Sequence, residues 1–370
     1  MWISHVNITN KLVSVTTIYD FSAKSTMHSD RNAMQTANAG WQSPPPPRFG
    51  RTLNMHAAPL EILCPSLHSS PATTDAVDSE AFVAAAAAYA ATLPEEVVSA
   101  LARFRAKSHP SGALLLRAMP VGDVPATPAQ PTAPTLKDTV SERSLLAVAT
   151  LLGEPVGYKP ELGGRLIQNL VPTRANQDRQ TSTSSAVPLL FHTETAFHPY
   201  RPAYLALLCL RGDPSADTTL SSIHEVWPHL SLRTRDVLFE PRFRTAIDES
   251  FLNGRDNALG APMPVLRDRT NPTMVFDEDL MVGTDAEASA ALAELGAATS
   301  ACHARLNLSA GDLLIIDNAR AVHGRSPYTP RFDGSDRWLQ RTFVIERLPV
   351  SAVDLDGRVI TTPFGQPRAA

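Results

Sequence analysis

The pattern of apolar and polar positions divides the chain into three stretches. Residues 1–55 carry no steady apolar period and include a four-proline run at 44–47, so they read as a flexible extension. Between about 78 and 153 the spacing is helical. It predicts helices over 79–92, over 94–107 with Pro94 in a first turn enriched by Glu95 and Glu96, and over 141–152, ending at Gly153. A short buried strand is expected at 113–117, and the proline-rich 120–134 reads as a surface connection.

From about 154 to 349 the pattern changes to short apolar or alternating runs punctuated by Gly, Pro and Asp. These predict strands at 165–171, 187–194, 203–211, 218–223, 313–316 and 341–346. Helical spacing returns at 231–239 and 285–306. The class expected is α+β, helices laid over a β-sandwich or barrel, with 56–370 forming one domain.

Composition narrows the function. At 370 residues, 43% hydrophobic and 19% charged, the chain can build a large core. A net charge of -4 with scattered Lys and Arg gives no footprint for nucleic acid or an anionic membrane, which leaves a small molecule as the expected partner. Cys64, Cys209 and Cys302 are far apart and odd in number, which argues against a disulfide framework or a cysteine metal site and suggests the cytoplasm. No segment reads as transmembrane or as a secretory signal.

The candidate chemistry begins at Phe191-His192-Thr193-Glu194, which closes an apolar run. In a strand, residues two apart face the same side about 6.6 Å apart along the chain, so His192 and Glu194 can converge on one ion. An H-x-E triplet alone is a weak signal. His323, in the loop expected after the strand at 313–316, is the best third ligand; two imidazoles and a carboxylate leave positions open for a co-substrate and dioxygen at iron(II). Downstream, Arg337 offers a planar fork suited to the distal carboxylate of 2-oxoglutarate.

Three blocks, H-T-E-T-A-F-H-P-Y-R-P from His192, D-N-A-R-A-V-H-G-R from Asp317 and R-F-D-G-S-D-R-W-L-Q-R from Arg331, resemble the clavaminate synthase-like branch of the taurine dioxygenase superfamily, whose members include free-amino-acid hydroxylases. The resemblance runs from about Leu60 to Pro349. It implies a double-stranded β-helix, or jelly roll, with iron(II) on His192, Glu194 and His323. The fourteen-residue step from His323 to Arg337 matches the family spacing for the arginine that grips 2-oxoglutarate. Thr219 falls where the family places a threonine on the same carboxylate, with Thr218 as the alternative. The same resemblance puts Ser182, Glu194 and Arg341 on the amino-acid substrate, and Asp277 and Asp279, expected on one strand face, on a basic side chain.

The activity implied is hydroxylation of a free amino acid, at Cβ and of the lysine or arginine type, with 2-oxoglutarate and dioxygen consumed. Asparagine, another neutral residue, or a carrier-bound or peptidic substrate is the alternative on the same scaffold, and a non-catalytic jelly-roll binder is the alternative of another class. Two histidine patterns are set aside. His198 lies about 13 Å beyond Glu194 in an extended chain. His224 and His229 miss the zinc-protease spacing, and Pro228 breaks the helix they would need.

Overall fold

The computed structural model describes residues 58–64, 76–106, 109–133, 137–252, 254, 256–349 and 357–361; all fall in one compact unit, 51–370, and the extension expected over 1–55 lies outside them. In chain order the strands are β1 (Leu60–Leu63), β2 (Ala113–Arg117), β3 (Glu154–Tyr158), β4 (Gln168–Leu170), β5 (Leu189–His192), β6 (Tyr204–Arg211), β7 (Thr218–Ser222), β8 (Phe243–Thr245), β9 (Leu266–Arg267), β10 (Thr273–Met274), β11 (Met281–Gly283), β12 (Ala304–Leu306), β13 (Leu313–Asp317), β14 (Ala321–Arg325), β15 (Trp338–Ile345) and β16 (Val359–Ile360). The larger sheet runs β1-β2-β13-β6-β15-β3-β16, with β4 also paired to β15, and a four-stranded sheet runs β12-β7-β14-β5. Only the edge pairs β1–β2 and β3–β16 of these sheets are parallel.

The continuous apolar runs mark strands covered on both sides. In β6, Tyr204, Ala206, Leu208 and Leu210 join the cluster under the N-terminal helices, whereas Leu205, Leu207 and Cys209 join a second cluster shared with Leu220 and Ala321 of the smaller sheet. β13 divides in the same way, Leu313 and Ile315 against Leu314 and Ile316. In β15 the period of two puts Leu339 and Phe343 in the second cluster, and hence Arg337 and Arg341 on the side facing the smaller sheet.

The helices Glu80–Ala90, Glu95–Arg105 and Val140–Leu152 cover the outer face of the large sheet through Phe82, Leu101, Leu145 and Leu146, all fully buried. Each such side chain contributes about 1.5–3 kcal/mol by leaving water, and truncating one, as in Leu145→Ala, costs about 2–5 kcal/mol. Ser79 caps the first helix by accepting from Phe82 N at 3.2 Å. The helix Ala286–Ala301, capped by Asp285 on Ala288 N at 2.9 Å, packs Leu295 into a third cluster with Phe191, Ile223 and Phe276 beside β5. Among the described residues no single helix is long and apolar enough to cross a membrane.

The mixed architecture of helices and sheets agrees with the sequence expectation, with differences at particular boundaries. Pro94 stands at the N-cap rather than inside the first turn. The helix expected over 285–306 stops at Ala301, because Ala304–Leu306 pairs with β7 as an edge strand. β4 is three residues long where seven were expected. Two differences bear on the site: β5 ends at His192 rather than Glu194, and His323 lies inside β14 rather than in a loop.

Candidate metal centre and its cavity

His192 and His323 meet because β5 and β14 pair in register at these two positions. Residues directly opposite in an antiparallel pair present side chains on one face, and here the ring centroids are 4.3 Å apart. Glu194 arrives by another route. The strand ends at His192, and the chain turns through Thr195, whose φ of 50° is left-handed. Glu194 is held at its backbone instead: its N–H donates to Asn318 Oδ1 at 2.8 Å and its carbonyl accepts from Asn318 Nδ2 at 3.1 Å. The i, i+2 geometry of a strand is therefore replaced by a side-chain clamp.

One ligand atom from each of His192, Glu194 and His323 lies within 4.8 Å of the others, and this is the one such trio among the described residues. Its chemistry suits a divalent cation. His192 Nδ1 donates to the Leu190 carbonyl at 2.9 Å, which leaves Nε2 with its lone pair free. His323 is driven well below the ordinary imidazole range by burial, reinforced by His192 and Arg341, so it is neutral. Its Nδ1 is buried without a hydrogen-bond partner among the described residues, and its Nε2 stands 3.6 Å from Glu194 Oε2, longer than a hydrogen bond. A neutral imidazole facing a carboxylate across that gap fits a bridging metal ion.

The trio opens into a cavity of about 110 Å³ whose lining includes Arg337, Arg341, Thr218, Ser182, Asp277 and Asp279. Arg337 is buried; its Nη2 donates to Thr218 Oγ1 at 3.1 Å, and it makes no ion pair among the described residues. Burial pulls its pKa below the usual guanidinium value, with Tyr328 and Asp213 acting the other way, yet an arginine stays charged, so a buried cation stands there with no carboxylate in ion-pair contact among the described residues. Thr219, the first choice from sequence, is on the other face of β7: Thr218 is paired with Arg325, two residues along the same face from His323, whereas Thr219 is paired with Gly324. The hydroxyl beside Arg337 is therefore that of Thr218.

Arg341 is also buried, but it is paired. Its Nη1 is 3.3 Å from Glu194 Oε2, its Nε donates to Gln168 Oε1 at 3.0 Å, and its Nη2 meets both Gln168 and Glu161. Burial pushes Glu161 up to about 7 against the pull of Arg341. Asp277 and Asp279 both reach the cavity, but from a turn and not a strand: Asp277 Oδ1 accepts from the backbone N–H of Asp279 at 3.1 Å and of Leu280 at 2.8 Å. Burial pushes Asp277 up to about 6 and raises Asp279 as well. Asp248, in another loop, lines the same end.

Sequence reasoning missed Glu161, Gln168, Asp248 and Asn318. Asn318 follows the apolar strand directly, and Glu161 interrupts a Gly-rich turn, but neither position shows that its side chain points inward. His198 is buried edge-on against Tyr158 and stands apart from the trio, held near 3 by burial and Arg201. His224 and His229 fall on separate short helices, as the intervening Pro228 requires.

The family model described as taurine catabolism dioxygenase TauD, TfdA family matches residues 112–343. The chain is 39% identical over 270 residues to an L-lysine 3-hydroxylase of Catenulispora acidiphila, covering 71% of this chain and 75% of that protein. It is 41% identical over 254 residues to an L-asparagine oxygenase of Streptomyces coelicolor, covering 67% and 75%. Among solved structures, an asparagine oxygenase in complex with Fe(II), 2S,3S-3-hydroxyasparagine and succinate superposes with a TM-score of 0.74 at 37% identity, covering 78% of this chain and 92% of that one.

Proposed function

The chain belongs to the taurine catabolism dioxygenase TauD/TfdA family, and we propose that its substrate is a free, basic L-amino acid, of the lysine or arginine type, hydroxylated at Cβ. It is an iron(II)- and 2-oxoglutarate-dependent dioxygenase. The observation that carries the co-substrate assignment is Arg337, a buried cation with no ion pair among the described residues, opening into the same cavity as the His192, Glu194 and His323 trio.

His192, Glu194 and His323 would hold the iron, and Arg337 with Thr218 would hold the distal carboxylate of 2-oxoglutarate. Iron supplies dioxygen activation coupled to decarboxylation of 2-oxoglutarate to succinate and CO₂, with one oxygen atom entering the amino acid. The residues of the chain supply position. Arg341 suits the α-carboxylate, and Glu161 with Glu194 suits the α-ammonium, so a zwitterion finds both its charges matched where Arg341 and its acids now match each other. Ser182 adds a hydroxyl to the cavity lining. Asp277 and Asp279, with Asp248 beside them, form an acid-rich end suited to an ammonium or guanidinium. The lysine 3-hydroxylase relative supports this reading; the asparagine oxygenase relative supports the neutral alternative.

We read the two facing sheets as a double-stranded β-helix within an oxygenase domain over 56–370. Three buried, unbridged cysteines suit the reducing cytoplasm. The test is anaerobic loading with Fe(II) and 2-oxoglutarate followed by air and a panel of free amino acids, with succinate and singly oxygenated products followed by mass spectrometry. Product from lysine or arginine supports the reading. Product from asparagine alone overturns the basic pocket, and product only from a tethered amino acid overturns the free substrate.

A further inference from the structure

We propose that Arg201 and Arg267 form a second site, distinct from the 2-oxoglutarate position, that binds a small oxyanion bearing a phosphate or carboxylate group. Both line a separate depression of about 220 Å³, together with Pro202, Thr273 and Asn318. No Asp or Glu is among its lining residues, and neither arginine makes an ion pair among the described residues. The two guanidiniums are close enough that Arg267, after burial, is the main charge lowering the pKa of Arg201, to about 10. Like charges brought together without a counter-ion repel, and an anion between them removes that cost.

The donors are set for such a ligand. Arg201 spends only Nη1 on the protein, donating to the carbonyls of Ala196 at 2.9 Å and His198 at 3.0 Å. That anchors its fork while Nε and Nη2 remain without a hydrogen bond among the described residues. Arg267 sits on β9, paired with Thr273 across a hairpin, so it is carried by regular structure and is itself exposed. Asn318 joins this depression to the metal centre: its Nδ2 donates to Pro202 O at 2.9 Å as well as to Glu194 O. An anion here bears on the loop from Glu194 to Pro202 from outside the catalytic cavity.

Calorimetric titration of the full chain with inorganic phosphate, and separately with acetate, tests the site. The background is Arg337→Ala, which silences the unpaired cation of the catalytic cavity; Arg341 is already neutralised by Glu161 and Glu194. Saturable binding near one equivalent, weakened about tenfold or more by Arg267→Glu, is the expected result. Phosphate alone, acetate alone or both then identifies the anion class. In the otherwise native chain, Arg267→Glu should leave amino-acid-dependent succinate formation intact, which shows that the variant folds. No saturable binding of either anion, or binding unchanged by Arg267→Glu, overturns the proposal.

Discussion

Arg341 Nη1 lies 3.3 Å from Glu194 Oε2, so the one carboxylate of the metal trio also belongs to a buried ion pair on β15, an interior strand of the large sheet. The same guanidinium holds Glu161 and Gln168, and it is the hub of the polar end of the cavity. Removing it in Arg341→Ala leaves two carboxylates buried without their cation, which should destabilise the protein by about 3–5 kcal/mol in denaturant unfolding. Arg341→Lys keeps the charge but loses the fork. Its expected signature is a smaller loss of stability with a KM for the amino acid raised roughly tenfold. An unchanged KM in a folded Arg341→Lys protein would remove Arg341 from substrate binding.

Arg337 and Thr218 give a separable prediction, since they line the cavity but do not touch the trio's ion pairs. Arg337→Ala should raise the KM for 2-oxoglutarate by roughly 10- to 100-fold, and Thr218→Val by a smaller factor, measured as succinate formed at saturating amino acid. Thr219→Val is the control on the opposite face of β7 and should leave that KM within about twofold. Equal effects at both threonines would show that the face assignment is wrong.

The threonine case shows what the sequence makes legible and what it hides. The period of two in an apolar strand is plain, so β2, β6 and β13 are found nearly residue for residue, and the blocks around His192, His323 and Arg337 mark the chemistry. Register across strands leaves no trace in one chain. The choice between Thr218 and Thr219 depends on pairing with β14, more than a hundred residues away, and the position of Glu194 depends on Asn318 in another segment. Charge on the cavity wall is hidden in the same way: Glu161, which is buried, and Asp248, which is half-buried, look like surface acids until the fold brings them to the cavity.

The acid-rich end of the cavity should control selectivity more than rate. Asp277→Asn and Asp279→Asn keep the shape of the turn and remove charge, so the KM for lysine or arginine should rise about tenfold, while a neutral amino acid that is turned over should change by less than about twofold. Steady-state kinetics on both substrates measures the contrast. A parallel rise for both would mean that these carboxylates serve the fold of the turn and do not read the side chain.

The pH dependence of that contrast follows from the same group. Burial raises Asp277 to about 6. Above that pH it is a carboxylate and attracts the distal cation; below it the acid is neutral and the attraction is lost. The side chains of lysine and arginine stay charged throughout this range. The ratio of KM for a basic to a neutral substrate should therefore climb as pH falls from about 7 to about 5, whereas effects on the shared metal site cancel in the ratio. A flat ratio would exclude Asp277 as the group that meets the cation.

Metal binding itself is measurable without turnover. His192, His323 and Glu194 bring their ligand atoms together, His323 as a neutral imidazole, and a cation that binds the folded trio but not the unfolded chain must stabilise the fold by mass action, about 2.7 kcal/mol at a hundred times Kd. Anaerobic Fe(II), or a redox-inert divalent ion in its place, should raise the melting temperature of the native protein in a concentration-dependent way. In His323→Ala the metal-free melting temperature can move in either direction, because the mutation removes a buried nitrogen that has no hydrogen-bond partner among the described residues and also leaves a void. The metal-induced increment is the informative quantity, and it should fall close to zero. Retention of the full increment together with native succinate production would show that His323 is not a ligand, and the trio would then have to be assigned to other residues.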